Sequence, residues 1–217
     1  MTLVIDNMVE KISNYLVDNV ICKGEVLDSN EKEILNFGVT RIVEDIPKYI
    51  IMLTIAIITD TLAELGIVFV IMFAYKTYIG GAHARTNLIC LISSNVIFFT
   101  PVLISKLIHM SNGALYITYA VVFVFSLFVI KYIAPADTEE VPILKADKRN
   151  KIKIQGLISL LVIYIISIFV IKSSEIKEII LFAVLIIDIC ATKPVYRLYK
   201  CKYSYESEEF KDYFNTK

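Results

Sequence analysis

Gly80-Gly81-Ala82-His83-Ala84-Arg85-Thr86-Asn87-Leu88-Ile89-Cys90 is a glycine-led polar interruption wedged between apolar runs of membrane grade. It holds one of the two histidines and one of the four cysteines of the chain. A thiol and an imidazole at a membrane surface are the components of a cysteine nucleophile activated by a base. The stretch therefore raises two questions at once: how the chain crosses a bilayer, and whether it does thiol chemistry there.

The 217 residues are 57% hydrophobic with no formal net charge, too apolar for a soluble domain of this length. Apolar runs recur at Tyr49 to Thr59, Leu65 to Tyr75, Leu88 to Ser105, Ala114 to Ile130, Ile154 to Ile171 and Ile179 to Ala191. A membrane crossing takes about 20 predominantly apolar residues, roughly 17 at the short end, and the third, fourth and fifth runs reach that unaided. The first two need flanking polar residues such as Lys48, Asp60, Glu64 and Lys76, and read as a tight hairpin with Asp60 and Glu64 at its tip. The sixth contains Asp188, a carboxylate that is costly in hydrocarbon unless it faces protein or water. The expected fold class is all-α: a polytopic membrane protein with about six membrane helices.

Basic residues in the connections set orientation, because they tend to stay in the cytoplasm. The connection 131–153 holds Lys145, Lys148, Arg149, Lys151 and Lys153, and the tail 193–217 holds Lys193, Arg197, Lys200, Lys202 and Lys211. Both are assigned inside. The connections from Lys106 to Gly113 and from Lys172 to Glu178 carry few cations and are assigned outside. Six crossings then put the amino terminus and the His83 stretch on the cytoplasmic side. His109 falls on the opposite side and is a poor partner for Cys90.

Residues 1–45 read as a cytoplasmic or interfacial helical region, without the compact apolar core of a cleavable signal. Met1 to Ile21 has Leu3, Ile5, Met8, Val9, Ile12, Leu16 and Val20 at helical spacing. A second helix is expected to start near Asp28 or Asn30, each followed three residues later by a glutamate, Glu31 or Glu33, as in a capping box. These helices cover the cytoplasmic face, lie on the bilayer or join a second copy. The peptidase domain is placed at 46–192, with its catalytic stretch at 80–90.

Cys22, Cys90, Cys190 and Cys201 are too scattered for a CxxC signature, and the histidines form no HExxH. No metal, cofactor or nucleic-acid partner is expected, and a cytoplasmic face keeps thiols reduced. Cys190 reads as a small buried hydrophobe. Cys90 differs through what precedes it. Gly80-Gly81 permits backbone angles closed to other residues, so a new helix can start soon afterwards with Thr86 or Asn87 as its cap. Cys90 then lies in a first helical turn, where the dipole and Arg85 favour a thiolate.

His83 and Cys90 are seven residues apart. On a straight helix that spacing leaves them about 10 Å apart along the axis, too far for a hydrogen bond at about 3 Å. A bend or loop between Gly80 and Asn87 is therefore required for a dyad. From composition and spacing alone, a polar interfacial histidine and a small buried cysteine remain the alternative. A transporter or scaffold with a polar path along Asp60, Glu64 and Asp188 is the alternative from another functional class.

Gly81-Ala82-His83-Ala84, the cysteine at position 90, and Ala134-Pro135-Ala136-Asp137-Thr138 with Pro142 together resemble the accessory gene regulator B (AgrB) peptidases of bacterial quorum sensing. Length, the order of the two motifs and the pattern of apolar runs extend the resemblance over most of the chain. It implies a membrane cysteine endopeptidase with His83 and Cys90 in the catalytic positions. Cys90 would cut a small AgrD-type propeptide on the carboxyl side of the future signal and hold the peptide as a thioester. An internal cysteine or serine would then close a thiolactone or lactone ring, and a dry site favours that capture over hydrolysis. Amides of the first helical turn, or Asn87, are candidate oxyanion donors. Lys76, Arg85, Lys145, Lys148 and Arg149 are candidates for binding the acidic propeptide tail, or alternatively for holding the connection inside and binding anionic lipid. A homodimer is compatible with the resemblance, and the expected location is the bacterial cell membrane.

Overall fold

The computed structural model describes residues 9, 11–21, 28–82, 84, 86–139 and 141–211. Among these the chain is helical, with only two isolated bridges in place of any strand. It divides into two compact units, 1–60 with 86–95 and 61–85 with 96–217.

In the first unit a helical segment at 11–21, its last turn wound as the π-helix Val17–Ile21, is followed by a long helix α1, Ser29–Ile58. The start of α1 follows the expected capping box, since the Asp28 amide donates to the Glu31 carboxylate at 3.3 Å. Sequence reading separates the amino-terminal helix from the first apolar run, whereas α1 joins them in one helix that runs through Pro47. Val17, Val39 and Val43 bury the apolar stripe shared with segment 11–21. Asn36 to Asn14 at 2.8 Å and Lys32 to Asp18 at 2.8 Å bind the polar edges of the same pair. The part of the expected helix at residues 1–8 lies outside the described residues.

The second unit contains α2 (Leu62–Ile71), which continues through a π-helical turn, Met72–Lys76, and a last turn, Thr77–Ile79. Next come α3 (Asn87–Leu107), whose first residues belong to the other unit, and α4 (Asn112–Tyr132). They are followed by α5 (Ala146–Ile165, extended by the π-helical Ile166–Val170), α6 (Ser174–Cys190) and the short α7 (Lys193–Leu198). Ser111 and Ser173 cap α4 and α6 by accepting hydrogen bonds from the amides three residues on.

Among the described residues, four helices are long and apolar enough to cross a bilayer: Leu62–Ile79, Asn87–Leu107, Asn112–Tyr132 and Ala146–Val170. Phe73, Ile117, Val121, Val124 and Phe169 project outward from them, each more than 60% exposed. Apolar surface of this kind suits hydrocarbon and not water, so the chain is a multi-pass membrane protein. Of the six expected crossings, the first and sixth do not meet the criterion. The first run follows Arg41, Glu44, Asp45 and Lys48 within α1, and charges so close together shorten its apolar span.

The sixth run is α6, 17 residues long, and it is apolar because protein surrounds it. Ile179, Leu181, Ala183, Val184 and Ile187 are each fully buried. Asp188 points into this interior, as its cost in lipid predicts. Its carboxylate accepts from Tyr75 at 2.9 Å and from Ser126.

Candidate functional site

The loop leaving α2 is held by its backbone. The Ala136 amide donates to Ile79 O at 2.8 Å, and the Gly81 amide donates to Ala136 O at 3.0 Å. One residue on, the Ala82 amide donates to the carbonyl of Cys190, at the end of α6, at 3.2 Å. Gly80 has φ +81° and Gly81 φ +147°, both in the region that favours glycine. A Cβ on Gly80 would also meet the Ala136 carbonyl oxygen at 2.4 Å, a backbone atom that cannot turn aside. The expected break after Gly80 is therefore present, and the next described helix starts at Asn87. Gly80→Ala is expected to cost on the order of 1–3 kcal/mol, seen as a lower thermal midpoint in detergent. An unchanged midpoint would show that the close approach does not constrain the fold.

The segment that pairs with this loop, 134–138, is buried and held in turn by the carboxyl-terminal region. Tyr196 of α7 donates its hydroxyl to Ala136 O at 2.7 Å, while Tyr203, stacked on it with ring centroids 3.8 Å apart, donates to Ala191 O at 2.6 Å. Burial pushes both phenols above the ordinary tyrosine value, which keeps the two hydroxyls protonated donors. Three donors converge on one Asp137 oxygen: the Ile143 amide at 2.7 Å, Arg149 at 2.8 Å and the Ser204 hydroxyl at 2.6 Å. Arg149 also donates to Pro135 O at 3.1 Å and Ile143 O at 3.2 Å.

Cys90 stands in the first turn of α3. Thr86 is the cap, its hydroxyl accepting from the Ile89 amide at 3.3 Å and its carbonyl from the Cys90 amide at 2.9 Å. The thiol is reduced and half-buried. Within its unit, this turn lies along α1. Asn87 donates its side-chain amide to Glu44 at 3.2 Å, and Lys48 lies one turn further along α1. Lys48 is ion-paired to Asp45 at 2.6 Å, and its side chain is only 11% exposed. Burial by itself would lower its pKa, but the hydrogen bond to Asp45 and the Cys90 sulfur outweigh that and hold the ammonium above the ordinary lysine value.

Of the residues singled out in the sequence, His83 and Arg85 lie outside the described residues. Lys76 ends the π-helical turn of α2, and its carbonyl accepts from the Gly80 amide at 2.8 Å. Lys145 and Lys148 are exposed at the start of α5, whereas Arg149 is engaged by Asp137. Glu64 faces Lys106 at 3.7 Å and Asp188 is buried among its hydroxyl donors, so neither carboxylate lines an open polar path. Sequence reasoning missed Glu44 as a neighbour of Asn87. It also missed Tyr196 and Tyr203, which no motif marks.

A family model described as accessory gene regulator B matches residues 9–191. An AgrB-like protein of Listeria innocua is 28% identical over 200 residues, covering 91% of this chain and 96% of that protein. An AgrB-like protein 2 of Clostridium perfringens is 28% identical over 164 residues, 73% of this chain and 74% of that one. Protein FsrB of Enterococcus faecalis is 25% identical over 174 residues, covering 80% and 69% respectively. No solved structure matches. The matched region runs from segment 11–21 through α6 and includes both the Gly80-Gly81 clamp and Cys90; the chain belongs to the accessory gene regulator B family of quorum-sensing systems.

Proposed function

We propose that this protein is a membrane cysteine endopeptidase that matures an AgrD-type propeptide, with Cys90 as nucleophile and His83 as proton carrier. The Cys90 sulfur attacks a peptide carbonyl at the carboxyl end of the future signal, and the S–C bond forms as the C–N bond breaks. His83 passes a proton to the departing amine of the acidic tail fragment. A thiol or hydroxyl within the bound peptide then attacks the thioester carbonyl. The C–S bond to Cys90 breaks and the ring closes.

The observation that supports this reading most is the seat of Cys90: half-buried in a capped first helical turn, after a glycine break that the fold holds open. Membership of the family supports the substrate class. We place the site and both terminal regions on the cytoplasmic face of the cell membrane, on the side of the basic connection. Asn87 is proposed to help hold the oxyanion.

Lys145 and Lys148 are proposed to draw in the acidic tail, together with Lys76 and Arg85, while Arg149 shapes the segment from which they project. Cations in the first turn of a helix oppose its dipole, so Lys145 and Lys148 are not explained by the stability of α5. Charge reversal at both, Lys145→Glu with Lys148→Glu, is expected to lower propeptide cleavage roughly tenfold at low salt. Unchanged cleavage at normal expression rejects this tail-binding role. The peptidase reading is tested by co-expression with a propeptide encoded beside this chain. A truncated tail fragment and a cyclic product are expected, and an intact propeptide overturns the reading.

A further inference from the structure

Segment 75–82 is tied to the last turn of α6 at both ends. At its start Tyr75, in the π-helical turn of α2, donates its hydroxyl to Asp188 at 2.9 Å. At its end the Ala82 amide donates to the Cys190 carbonyl at 3.2 Å, one of the terminal carbonyls that a helix leaves without a partner of its own. Both ties stay within the second unit, and the residue that follows Ala82 is His83. Ser126 of α4 donates to the other Asp188 oxygen, which keeps the carboxyl group turned toward Tyr75. Tyr75, Ser126 and Asp188 are all completely buried. Apolar side chains of similar volume would fill the same space without the desolvation of a carboxyl group, and an acidic residue inside a membrane bundle marks a functional device more than a structural one.

We propose that Asp188 is a positioning residue for His83. Its hydrogen bond to Tyr75 locks the end of α2 against the end of α6, and the Cys190 carbonyl, two residues further along α6, then meets the Ala82 amide in register. The chain is thereby delivered to His83 from a fixed point on its amino-terminal side. Asp188 neither touches the peptide nor carries a proton in the reaction; its contribution is a pair of acceptor oxygens held in one place. This proposal rests on the peptidase reading given above.

The test compares kcat, KM and thermal midpoint for the purified full-length protein acting on the propeptide encoded beside it. The triple variant Tyr75→Phe, Ser126→Ala, Asp188→Leu removes the whole cluster and leaves none of its polar groups buried and unpaired. It is expected to keep the midpoint and KM and to lose roughly tenfold in kcat. Asp188→Asn is expected to recover most of that loss. Its carbonyl still accepts from Tyr75, and its amide donates to Ser126, whose hydroxyl also reaches Val122 O at 2.9 Å. A merely structural cluster would lower the midpoint and the amount of active protein, with kcat per active site unchanged. If the triple variant does not accumulate, Tyr75→Phe against Asp188→Asn carries the same comparison. Unchanged kcat on loss of the Tyr75 tie overturns the role of Asp188, and so does a loss confined to KM. Asp188→Asn as slow as the variants without the tie also overturns it, because the charge and not the hydrogen bonds would then be needed. Failure of the peptidase reading shows separately, as cleavage that survives Cys90→Ala.

Discussion

Replacing Cys90 by alanine is expected to reduce propeptide cleavage by at least about 10³-fold in a protein that still inserts and accumulates. The loss follows from covalent catalysis: without the sulfur no thioester forms, and neither the cut nor the ring closure has a route. His83→Ala is expected to fall to a similar level, because residues that act as one unit do not lose activity additively. The double variant should be little worse than either single one. Cys201→Ala, at a half-buried thiol beyond α7, should cleave normally, and so should Cys190→Ala, although the latter removes a buried group and lowers stability somewhat. Cleavage by propeptide co-expression measures all of these. Near-normal activity of Cys90→Ala would remove the nucleophile from the account.

Asp137→Ala should have the largest effect on stability. The carboxylate is 4% exposed and its partner Arg149 17%, so the pair is shielded from water. Removing the carboxylate strands a guanidinium and takes the acceptor from the Ile143 amide and the Ser204 hydroxyl. Breaking a buried pair from one side typically costs about 3–5 kcal/mol. A drop of that size in unfolding free energy, or loss of accumulation, is the expected result. Replacing both partners together, Asp137→Leu with Arg149→Met, should recover part of it, since no buried charge is then left alone. The Asp137 variant should also lose cleavage without touching Cys90. Segment 134–138 holds Gly80 and Gly81 in place two residues before His83, and that hold depends on Asp137. A variant of normal stability and activity would show that the clamp does neither job.

Most of the architecture was legible where one force decides it. Long apolar runs give Asn87–Leu107, Asn112–Tyr132 and Ala146–Val170 because bilayer thickness dictates length. Asp28 and Glu31 announce the start of α1 because a capping box is local chemistry. Gly80-Gly81 announces a break because only glycine takes those angles cheaply. The count of crossings was not legible in the same way. An apolar run reads alike whether lipid or protein covers it, and α6 is covered by protein.

The candidate site was legible in part for a similar reason. Cys90 and its cap, Thr86, are neighbours in sequence, and the chemistry of a first helical turn can be read from them. Glu44 lies 43 positions from Asn87 on another helix, and only the pairing of α1 with α3 brings the two together. The hold on the Gly80 loop is longer in range still. Ala136, Cys190 and Tyr196 contribute single backbone or hydroxyl contacts that leave no pattern in the sequence.

The account stands most directly on a covalent bond between Cys90 and the peptide. Purified protein mixed with its propeptide and quenched in acid should yield a Cys90-containing fragment heavier by the mass of the acyl portion of the propeptide. That adduct should be released by hydroxylamine, as a thioester is, and should be absent from Cys90→Ala. Cleavage that proceeds at full rate with no adduct on Cys90 at any time point, or with the adduct on another residue, would contradict it.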